Sequence, residues 1–128
     1  MVSNFNNQLV ALVKQFLPDV GLVYLFGSHA SNQANEYSDI DIAILPAEQL
    51  SAIKRWKVQQ KMAERLNVNV DLVDLLSAST VMQHEIIRKG FCLYDADKNV
   101  IKFEMKVMSM YQHLNEERSE LLVAFKGK

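Results

Sequence analysis

The sequence predicts an α/β (α+β) fold in which helices flank a small mixed sheet of about four strands. Segments in which apolar residues recur at helical spacing alternate with short apolar runs that are typical of strands. The chain has 128 residues, a length that suits one domain, and no repeat or Gly-, Ser- or Pro-rich linker divides it. Its 49% hydrophobic and 23% charged residues are typical of a globular protein. We therefore expect residues 1–128 to form a single domain.

The first third of the chain predicts one helix followed by two strands. Residues 21–26 form an apolar run that predicts a buried strand. After a polar loop at residues 32–38, residues 39–45 place aspartate and isoleucine in alternation and predict a second strand. Ser3 can cap a helix that ends at Pro18, and five apolar residues follow helical spacing between them, namely Phe5, Leu9, Leu12, Val13 and Phe16.

The rest of the chain predicts three helical stretches and two strands. A long helix covers residues 47–66, and a strand follows at residues 68–73. A helix at residues 79–89 leads to a short strand at residues 91–94. The C-terminal stretch at residues 99–125 is one helix or two.

Apolar and basic stripes on two predicted helices indicate which faces pack in the core and which could bind a partner. In the helix at residues 47–66, the spacing points five residues inward: Leu50, Ile53, Trp56, Ala63 and Leu66. Basic stripes on this helix and on the C-terminal stretch are interpreted as solvated faces: Lys54, Lys57, Lys61, Arg65, Lys98, Lys102 and Lys106. The C-terminal stretch carries one apolar stripe: Val100, Phe103, Val107, Met110, Leu114, Leu121 and Phe125. Residues 99–128 extend past the other elements and are a candidate partner-binding extension.

Charge, cysteine content and the lengths of the apolar runs argue against a nucleic-acid coat protein and against a secreted or membrane-spanning protein. Fourteen Lys and Arg against fifteen Asp and Glu give a net charge of −1, without the basic excess of a general nucleic-acid coat protein. The N-terminal residues lack the pattern of a secretory signal, and the longest apolar run, at residues 20–26, is too short to cross a membrane. The lone cysteine, Cys92, allows no internal disulfide and is expected in the core. We expect a cytoplasmic protein that binds neither membranes nor nucleic acid directly.

The residues that indicate chemistry lie on the first two predicted strands. Gly27 and Ser28 close the first strand, and ten residues separate Ser28 from Asp39. Glycine lets the backbone approach a ligand, and the amides and hydroxyl that follow it suit phosphate oxygens. Asp39 and Asp41 project to the same face of a strand. Since residues 15–53 contain no lysine or arginine, a divalent cation such as Mg²⁺ is the economical compensation for two adjacent carboxylates.

A third carboxylate, Asp71, joins this face if Val70 and Leu72 are buried, because alternate residues of a strand face opposite sides. Asp74 then points the other way, as a surface or capping residue. Three carboxylates on neighbouring strands can hold two metal ions, or one metal ion beside a general base. Each feature alone has a simpler explanation, since Asp-x-Asp also occurs at solvated strand edges and Gly-Ser also caps helices. Their combination favours a site for phosphate and metal.

Together, Gly27-Ser28, the ten-residue gap, Asp39-x-Asp41 and the downstream Asp71 resemble the signature of the nucleotidyltransferase superfamily related to DNA polymerase beta. The chain length resembles that of its minimal nucleotidyltransferases, the MNT proteins, which implies one minimal nucleotidyltransferase domain over residues 1–128. The resemblance implies that Asp39, Asp41 and Asp71 hold Mg²⁺, as two ions, and that Asp71 helps deprotonate the acceptor. It also implies that Gly27 and Ser28 bind the phosphates of ATP, with Asp39 and Asp41 beside them.

MNT proteins are commonly paired with HEPN ribonuclease toxins. The resemblance therefore implies an antitoxin that transfers AMP from ATP to a hydroxyl, that of a tyrosine, on a HEPN-type toxin and so neutralises it, as in a type VII-like toxin–antitoxin system. One alternative is a catalytically weak module that masks the toxin sterically. Two others are transfer to a small molecule, which usually needs an extra substrate-binding domain, and transfer to an RNA end, which suits the basic stripes but not the net charge.

The sequence departs from the family pattern after the Gly-Ser pair. Many relatives carry arginine there, where this chain has His29, Ala30 and Ser31. His29 either replaces the missing cation in part or is an exposed loop residue. His84 and His113 lie on separate predicted helices, without a second histidine at metal-ligand spacing, and are interpreted as surface or structural residues. Three methionines of the C-terminal stretch either fill the core, which helical spacing favours, or form a pliable partner surface: Met105, Met108 and Met110.

Overall fold

The computed structural model describes residues 4–30 and 38–126, in which helices and strands alternate as the sequence predicts. The elements are, in order, α1 (Asn4–Phe16), β1 (Leu22–Phe26), a 3-10 turn (Gly27–His29), β2 (Ile40–Leu45), α2 (Ala52–Leu66), β3 (Val70–Asp74), α3 (Thr80–Lys89), β4 (Phe91–Asp95) and α4 (Val100–Lys126). The predicted cap Ser3 and residues 32–37 of the predicted polar loop lie outside the described residues.

The described strands form one mixed sheet in the order β3-β2-β1-β4. Strand β1 is antiparallel to both β2 and β4, whereas β2 and β3 are parallel. A parallel pair needs a crossover connection, which α2 supplies between β2 and β3. Consequently, the end of β1 and the starts of β2 and β3 lie at the same end of the sheet.

Each face of the sheet is covered by its own layer of helices. Ile40, Ile42 and Ile44 of β2 are buried in a core shared with α1 and α2. Ala43, on the opposite face of the same strand, is buried with Tyr24 in a core shared with α3 and α4. The register of β2 is therefore fixed, because a slip by one residue would move three isoleucines out of their core.

Helix α2 begins later than the sequence predicts, at Ala52 rather than at residue 47. Ser51 is extended, and its hydroxyl accepts a hydrogen bond from a backbone N–H three residues later over 3.1 Å, which is the geometry of an N-cap. The backbone N–H of Leu50 instead donates to the carboxylate of Asp74. The residues before Ser51 are thus held by a loop contact and not by the helix.

The inward face of α2 also differs from the prediction. Ile53 and Trp56, expected inside, are 68% and 56% exposed. Arg55 and Gln59 face the sheet instead, because β3 is an edge strand whose Leu72 presents unpaired backbone groups. The side-chain oxygen of Gln59 accepts from the N–H of Leu72 over 2.9 Å, and Arg55 donates to the carbonyl of Leu72 over 3.1 Å. Polar side chains on the inner stripe of α2 therefore complete the edge of the sheet.

Helix α4 is one continuous helix, and its apolar stripe continues beyond the residues that pack in the core. Val107 is buried, but Leu121 is 71% and Phe125 is 84% exposed. Every described side chain at residues 115–125 is exposed, so this part of the helix packs against no core.

None of the described helices has the length and apolar composition that crossing a membrane requires. The prediction that three methionines fill the core is wrong, because they are exposed: Met105, Met108 and Met110.

Cys92 and Asp74 also correct the sequence interpretation. Cys92, expected in the core, is an exposed free thiol on the edge strand β4. Asp74 is 2% exposed, so it is not a surface residue, and its capping role is confirmed. One carboxylate oxygen accepts from the N–H of Leu50 over 2.8 Å, and the other accepts from the N–H of Leu76 over 2.9 Å. Asp74 thereby fixes the two loops that follow β2 and β3.

Replacing this buried carboxylate tests its role. Asp74→Ala is expected to lower the free energy of unfolding by about 2–4 kcal/mol, because the N–H groups of Leu50 and Leu76 would lose their acceptors. Urea unfolding followed by circular dichroism measures the change. Asp97→Ala, at an exposed turn, is the matched control and should alter it by less than about 0.5 kcal/mol. Equal losses in the two variants would contradict the role assigned to Asp74.

Candidate active site

The sheet topology brings the predicted phosphate turn and two predicted carboxylates to one end of the sheet. Phe26, the last residue of β1, pairs with Asp41 of β2. Asp41 in turn pairs with Asp71 of β3. Gly27 follows Phe26 directly, so the turn, Asp41 and Asp71 lie on successive strands, about 5 Å apart.

The burial of neighbouring residues fixes the direction of these side chains. Residues on either side of Asp41 and of Asp71 are buried on the face covered by α1 and α2, namely Ile40, Ile42, Val70 and Leu72. Asp41 and Asp71 therefore both point to the other face of the sheet. Asp39 directly precedes β2 and is exposed, two residues from Asp41. The alternation that the sequence predicts for Asp71 is confirmed.

These three aspartates, Asp39, Asp41 and Asp71, form an acidic cluster. The pKa of Asp41 is raised, first by partial burial and then by the negative charges of Asp71 and Asp39. His29 acts in the opposite direction. The charge of Asp41 is thus opposed by two carboxylates and supported by a histidine, so the cluster favours a cation.

The acidic cluster is open. Within residues 4–30 and 38–126, no three His, Cys, Asp or Glu side chains stand in a geometry that would hold a metal ion. The carboxylates form a face and not a closed cage. Mg²⁺ usually takes one or two protein carboxylates and completes its shell with water and substrate phosphates. An open acidic face beside a phosphate turn fits such an ion.

Gly27 is required by the close approach of the turn to Asp41. Its φ of +72° lies in the left-handed region that favours glycine. A Cβ atom at this position would stand 3.0 Å from Cγ of Asp41 and would collide with its Oδ2 atom. The half-buried Ser28 follows it in the 3-10 turn. Glycine therefore allows the turn to lie directly on a carboxylate of the cluster.

His29 is held on two sides and is not an exposed loop residue. Its ring stacks on Phe5 of α1, with 5.6 Å between the ring centroids. Its Nε2 atom is 3.2 Å from the carbonyl oxygen of Ser38. Sequence reasoning missed these two partners, because Phe5 sits on the apolar stripe of α1 and nothing in its spacing distinguishes it from a core residue.

The other two histidines have the roles that the sequence predicts. His84 is stacked on Tyr111 with 3.6 Å between the ring centroids, which makes it a structural contact between α3 and α4. His113 is exposed, and its Nε2 atom lies 3.0 Å from the carboxylate of Glu117 one turn away. Neither contributes to the pKa shift of Asp41.

Comparison with known proteins assigns the same region to one family. Residues 7–99 match the family model described as polymerase beta, nucleotidyltransferase. The chain is 41% identical over 116 residues to the protein adenylyltransferase MntA of Shewanella oneidensis, which covers 91% of this chain and 84% of that protein. It is 32% identical over 92 residues to a probable protein adenylyltransferase MntA of Haemophilus influenzae, with 71% and 79% of the two chains covered.

Solved structures agree with this assignment. A crystal structure of a toxin–antitoxin pair with AMP-PNP contains a chain that is 40% identical and superimposes with a TM-score of 0.85, covering 94% of this chain and 98% of that one. A structure of a tri-AMPylated Shewanella oneidensis HEPN toxin in complex with MNT antitoxin contains a chain that is 39% identical, with a TM-score of 0.78 and coverages of 94% and 95%. The likeness includes both sheet and helices.

Substitution of Gly27 tests the phosphate turn. Gly27→Ala is expected to weaken the binding of Mg²⁺–AMP-PNP by about tenfold or more, since the new methyl group would displace the Asp41 carboxylate. Isothermal titration calorimetry measures the affinity. Gly21→Ala is the control, because its Cβ would only reach the carbonyl oxygen of Leu45 at an ordinary 3.5 Å. The control should bind within about twofold of the wild type, and equal affinities of all three proteins would refute the assignment.

The geometry and the comparisons point to the same chemistry. A glycine-dependent turn next to an open acidic face suits a nucleoside triphosphate and a divalent metal ion. The family model covers both the turn and all three aspartates. The chain thus works with a nucleotide donor and a divalent metal ion. It belongs to the polymerase beta-type nucleotidyltransferase family, with the MntA protein adenylyltransferases.

Proposed function

We propose that this chain transfers AMP from ATP to a tyrosine hydroxyl of a HEPN-type toxin and so acts as the antitoxin of the pair. The observation that carries the proposal is the contact of Gly27 with Asp41, beside which Asp71 lies in register. It joins the turn for which we propose phosphate binding to carboxylates on successive strands. The relatives support the same reaction, since one is named a protein adenylyltransferase and another stands in complex with an AMPylated HEPN toxin.

The proposed roles of the site residues rest on the family resemblance, and their positions support them. Asp39, Asp41 and Asp71 would hold Mg²⁺, as two ions, and the metal would neutralise the charge that develops on the phosphates. Gly27 and Ser28 bind the terminal phosphates of ATP. Asp71, which is exposed, accepts the proton of the acceptor hydroxyl as the hydroxyl oxygen attacks the α-phosphorus. The bond from the α-phosphorus to the bridging oxygen breaks, pyrophosphate leaves, and the acceptor oxygen carries AMP.

The compartment that we propose is the cytoplasm. ATP is available there as a donor. The exposed thiol of Cys92 is also compatible with the reducing conditions of that compartment, where a free thiol stays reduced.

We propose that the toxin covers the α4 arm, defined as residues 115–125. The arm presents four exposed apolar side chains: Leu121, Leu122, Val123 and Phe125. A short helical segment that buries none of its described side chains is marginally stable in water, and a cluster of exposed apolar residues marks an interaction site. The related chain that aligns with 94% of this one comes from a complex with a HEPN toxin, which supports the toxin as the occupant.

A second candidate function is steric masking of the toxin without chemistry. The α4 arm favours it, because the arm offers a partner surface that does not depend on the acidic cluster. The absence of lysine and arginine from residues 15–53 favours it too, since cations that usually grip a triphosphate are missing there. Adenylylation requires the carboxylates of the acidic cluster, whereas steric masking does not.

Removing two carboxylates separates the two functions. The double variant Asp39→Asn with Asp41→Asn is expected to lose labelling of the co-purified toxin by radiolabelled ATP and Mg²⁺, by about a hundredfold or more, because two metal ligands disappear. The mass of the intact toxin, measured in parallel, should show no added AMP. Labelling at the wild-type level would refute the proposed chemistry.

The matched control removes two carboxylates elsewhere. Asp19→Asn with Asp97→Asn changes the net charge by the same amount at exposed positions and should label the toxin like the wild type. Toxin neutralisation in cells completes the comparison. If the Asp39 and Asp41 double variant neutralises the toxin as well as the wild type does, steric masking is sufficient and adenylylation is not the antitoxin activity.

Polar substitution of the α4 arm tests the partner surface. Leu121→Ser with Phe125→Ser is expected to weaken toxin binding by about tenfold or more, since exposed apolar side chains that a partner covers contribute strongly to affinity. Mg²⁺–AMP-PNP binding should not change. Ile53→Ser is the control, because this apolar residue is also largely exposed but lies on α2. Unchanged toxin affinity of the arm variant, measured by biolayer interferometry, would exclude the arm from the interface.

A further inference from the structure

A hydrogen bond outside the sheet links the two halves of the candidate active site. His29 lies in the 3-10 turn after Gly27, and its Nε2 atom is 3.2 Å from the carbonyl oxygen of Ser38. A carbonyl oxygen only accepts, so Nε2 carries the proton and donates. Because Ser38 immediately precedes Asp39, the bond connects the phosphate turn to the start of the strand that carries the carboxylates.

The ring of His29 is also held on its face. Phe5 stacks on it with 5.6 Å between the centroids and 21° between the planes. Phe5 belongs to the first turns of α1 and packs against the core between α1, α2 and the sheet. The face of the imidazole is therefore fixed by α1, while its edge is fixed by Ser38.

The hydrogen bond between His29 and Ser38 lies where it can control the position of the turn relative to the carboxylates. His29 and Ser38 lie nine residues apart in the sequence, so their contact ties the turn directly to the residue before Asp39. The turn itself is closed by a hydrogen bond from the N–H of Ala30 to the carbonyl of Gly27, 3.1 Å long. Since Gly27 already lies in contact with Asp41, a small movement of the turn would change the distance between a bound phosphate and the carboxylates.

We infer that His29, backed by Phe5, is a positioning residue that locks the Gly27–Ser28 turn onto the strand carrying Asp39 and Asp41. The inference rests on the proposed function, because a fixed distance between turn and carboxylates matters for a bound triphosphate and its metal ions. The Nε2 atom of His29 is engaged by Ser38 and its ring face by Phe5, so His29 acts through the turn.

Three substitutions of His29 separate the contributions of its ring and its N–H group. His29→Phe keeps a ring for Phe5 but loses the donor, and His29→Ala loses both. His29→Gln keeps an amide N–H that can reach the carbonyl oxygen of Ser38. We expect Mg²⁺–AMP-PNP affinity to fall by about tenfold in His29→Phe and His29→Ala and to stay within about threefold of the wild type in His29→Gln.

Calorimetric titration at 10 °C, with each melting temperature measured alongside, distinguishes positioning from a structural role. At a temperature far below unfolding, a loss of stability alone leaves the affinity unchanged. Wild-type affinity in His29→Phe or His29→Ala would overturn the inference, as would a His29→Gln variant that binds as weakly as His29→Phe. Phe5→Leu should weaken binding by about threefold, because it removes only the stacking contact.

His113→Gln is the matched control. It makes the same exchange at an exposed histidine of α4 and should bind Mg²⁺–AMP-PNP like the wild type. The titration needs no toxin, so its result is separate from the test of toxin labelling. Failure of the wild-type protein to bind AMP-PNP would overturn the proposed function and the inference with it, whereas binding that is insensitive to His29 would overturn the inference alone.

Discussion

The partial burial of Asp41 beside two further carboxylates, those of Asp71 and Asp39, is the constraint on which the candidate site depends. Strand pairing holds Asp41 beside Asp71, and Ile40 and Ile42 fix the direction of Asp41 from the opposite face. The pKa of Asp41 is raised in the folded chain, so the folded state keeps a proton at pH values where the unfolded chain has released it. Stability therefore falls as pH rises through that window. The buried aliphatic core offsets this cost, and a bound cation would reduce it.

The support of the acidic cluster extends to the edge of the sheet. Asp71 lies on β3, an edge strand that pairs only with β2 among the described strands. Gln59 and Arg55 of α2 bind the backbone of Leu72, the residue next to Asp71. Helix α2 thus holds β3 by polar contacts where an inner strand would have a second neighbour. These contacts help to keep the carboxylate of Asp71 in register on an edge strand.

The sequence predicts the order of the elements and the face of Asp71 correctly, since both follow from the alternation of polar and apolar residues in strands. It fails where a polar side chain binds backbone inside the fold. Gln59 and Arg55 occupy the inner stripe of α2 and leave Trp56 outside, and Asp74 is buried because it caps two loops. These roles depend on loops and strand edges that are distant in sequence, so periodicity does not reveal them.

The candidate site also contains residues that the sequence reveals and contacts that only the structure reveals. Gly27 and the aspartates are visible as a motif because their spacing along the chain reflects one turn and one strand. The surroundings of His29 are not visible, because Phe5 and Ser38 reach it through the packing of α1 and the path of the chain before β2. Local spacing thus identifies the groups that act on a ligand, and tertiary packing decides how they are held.

The unsupported end of α4 has a consequence for the lifetime of the chain. The side chains of residues 115–125 are all exposed and pack in no core. This part of the helix therefore opens locally at little cost in free energy. An opened helix with Leu121 and Phe125 exposed is a ready substrate for cellular proteases and a starting point for aggregation. A copy without its partner is therefore expected to be degraded sooner than one in a complex, which would tie the amount of this protein in the cell to the amount of its partner.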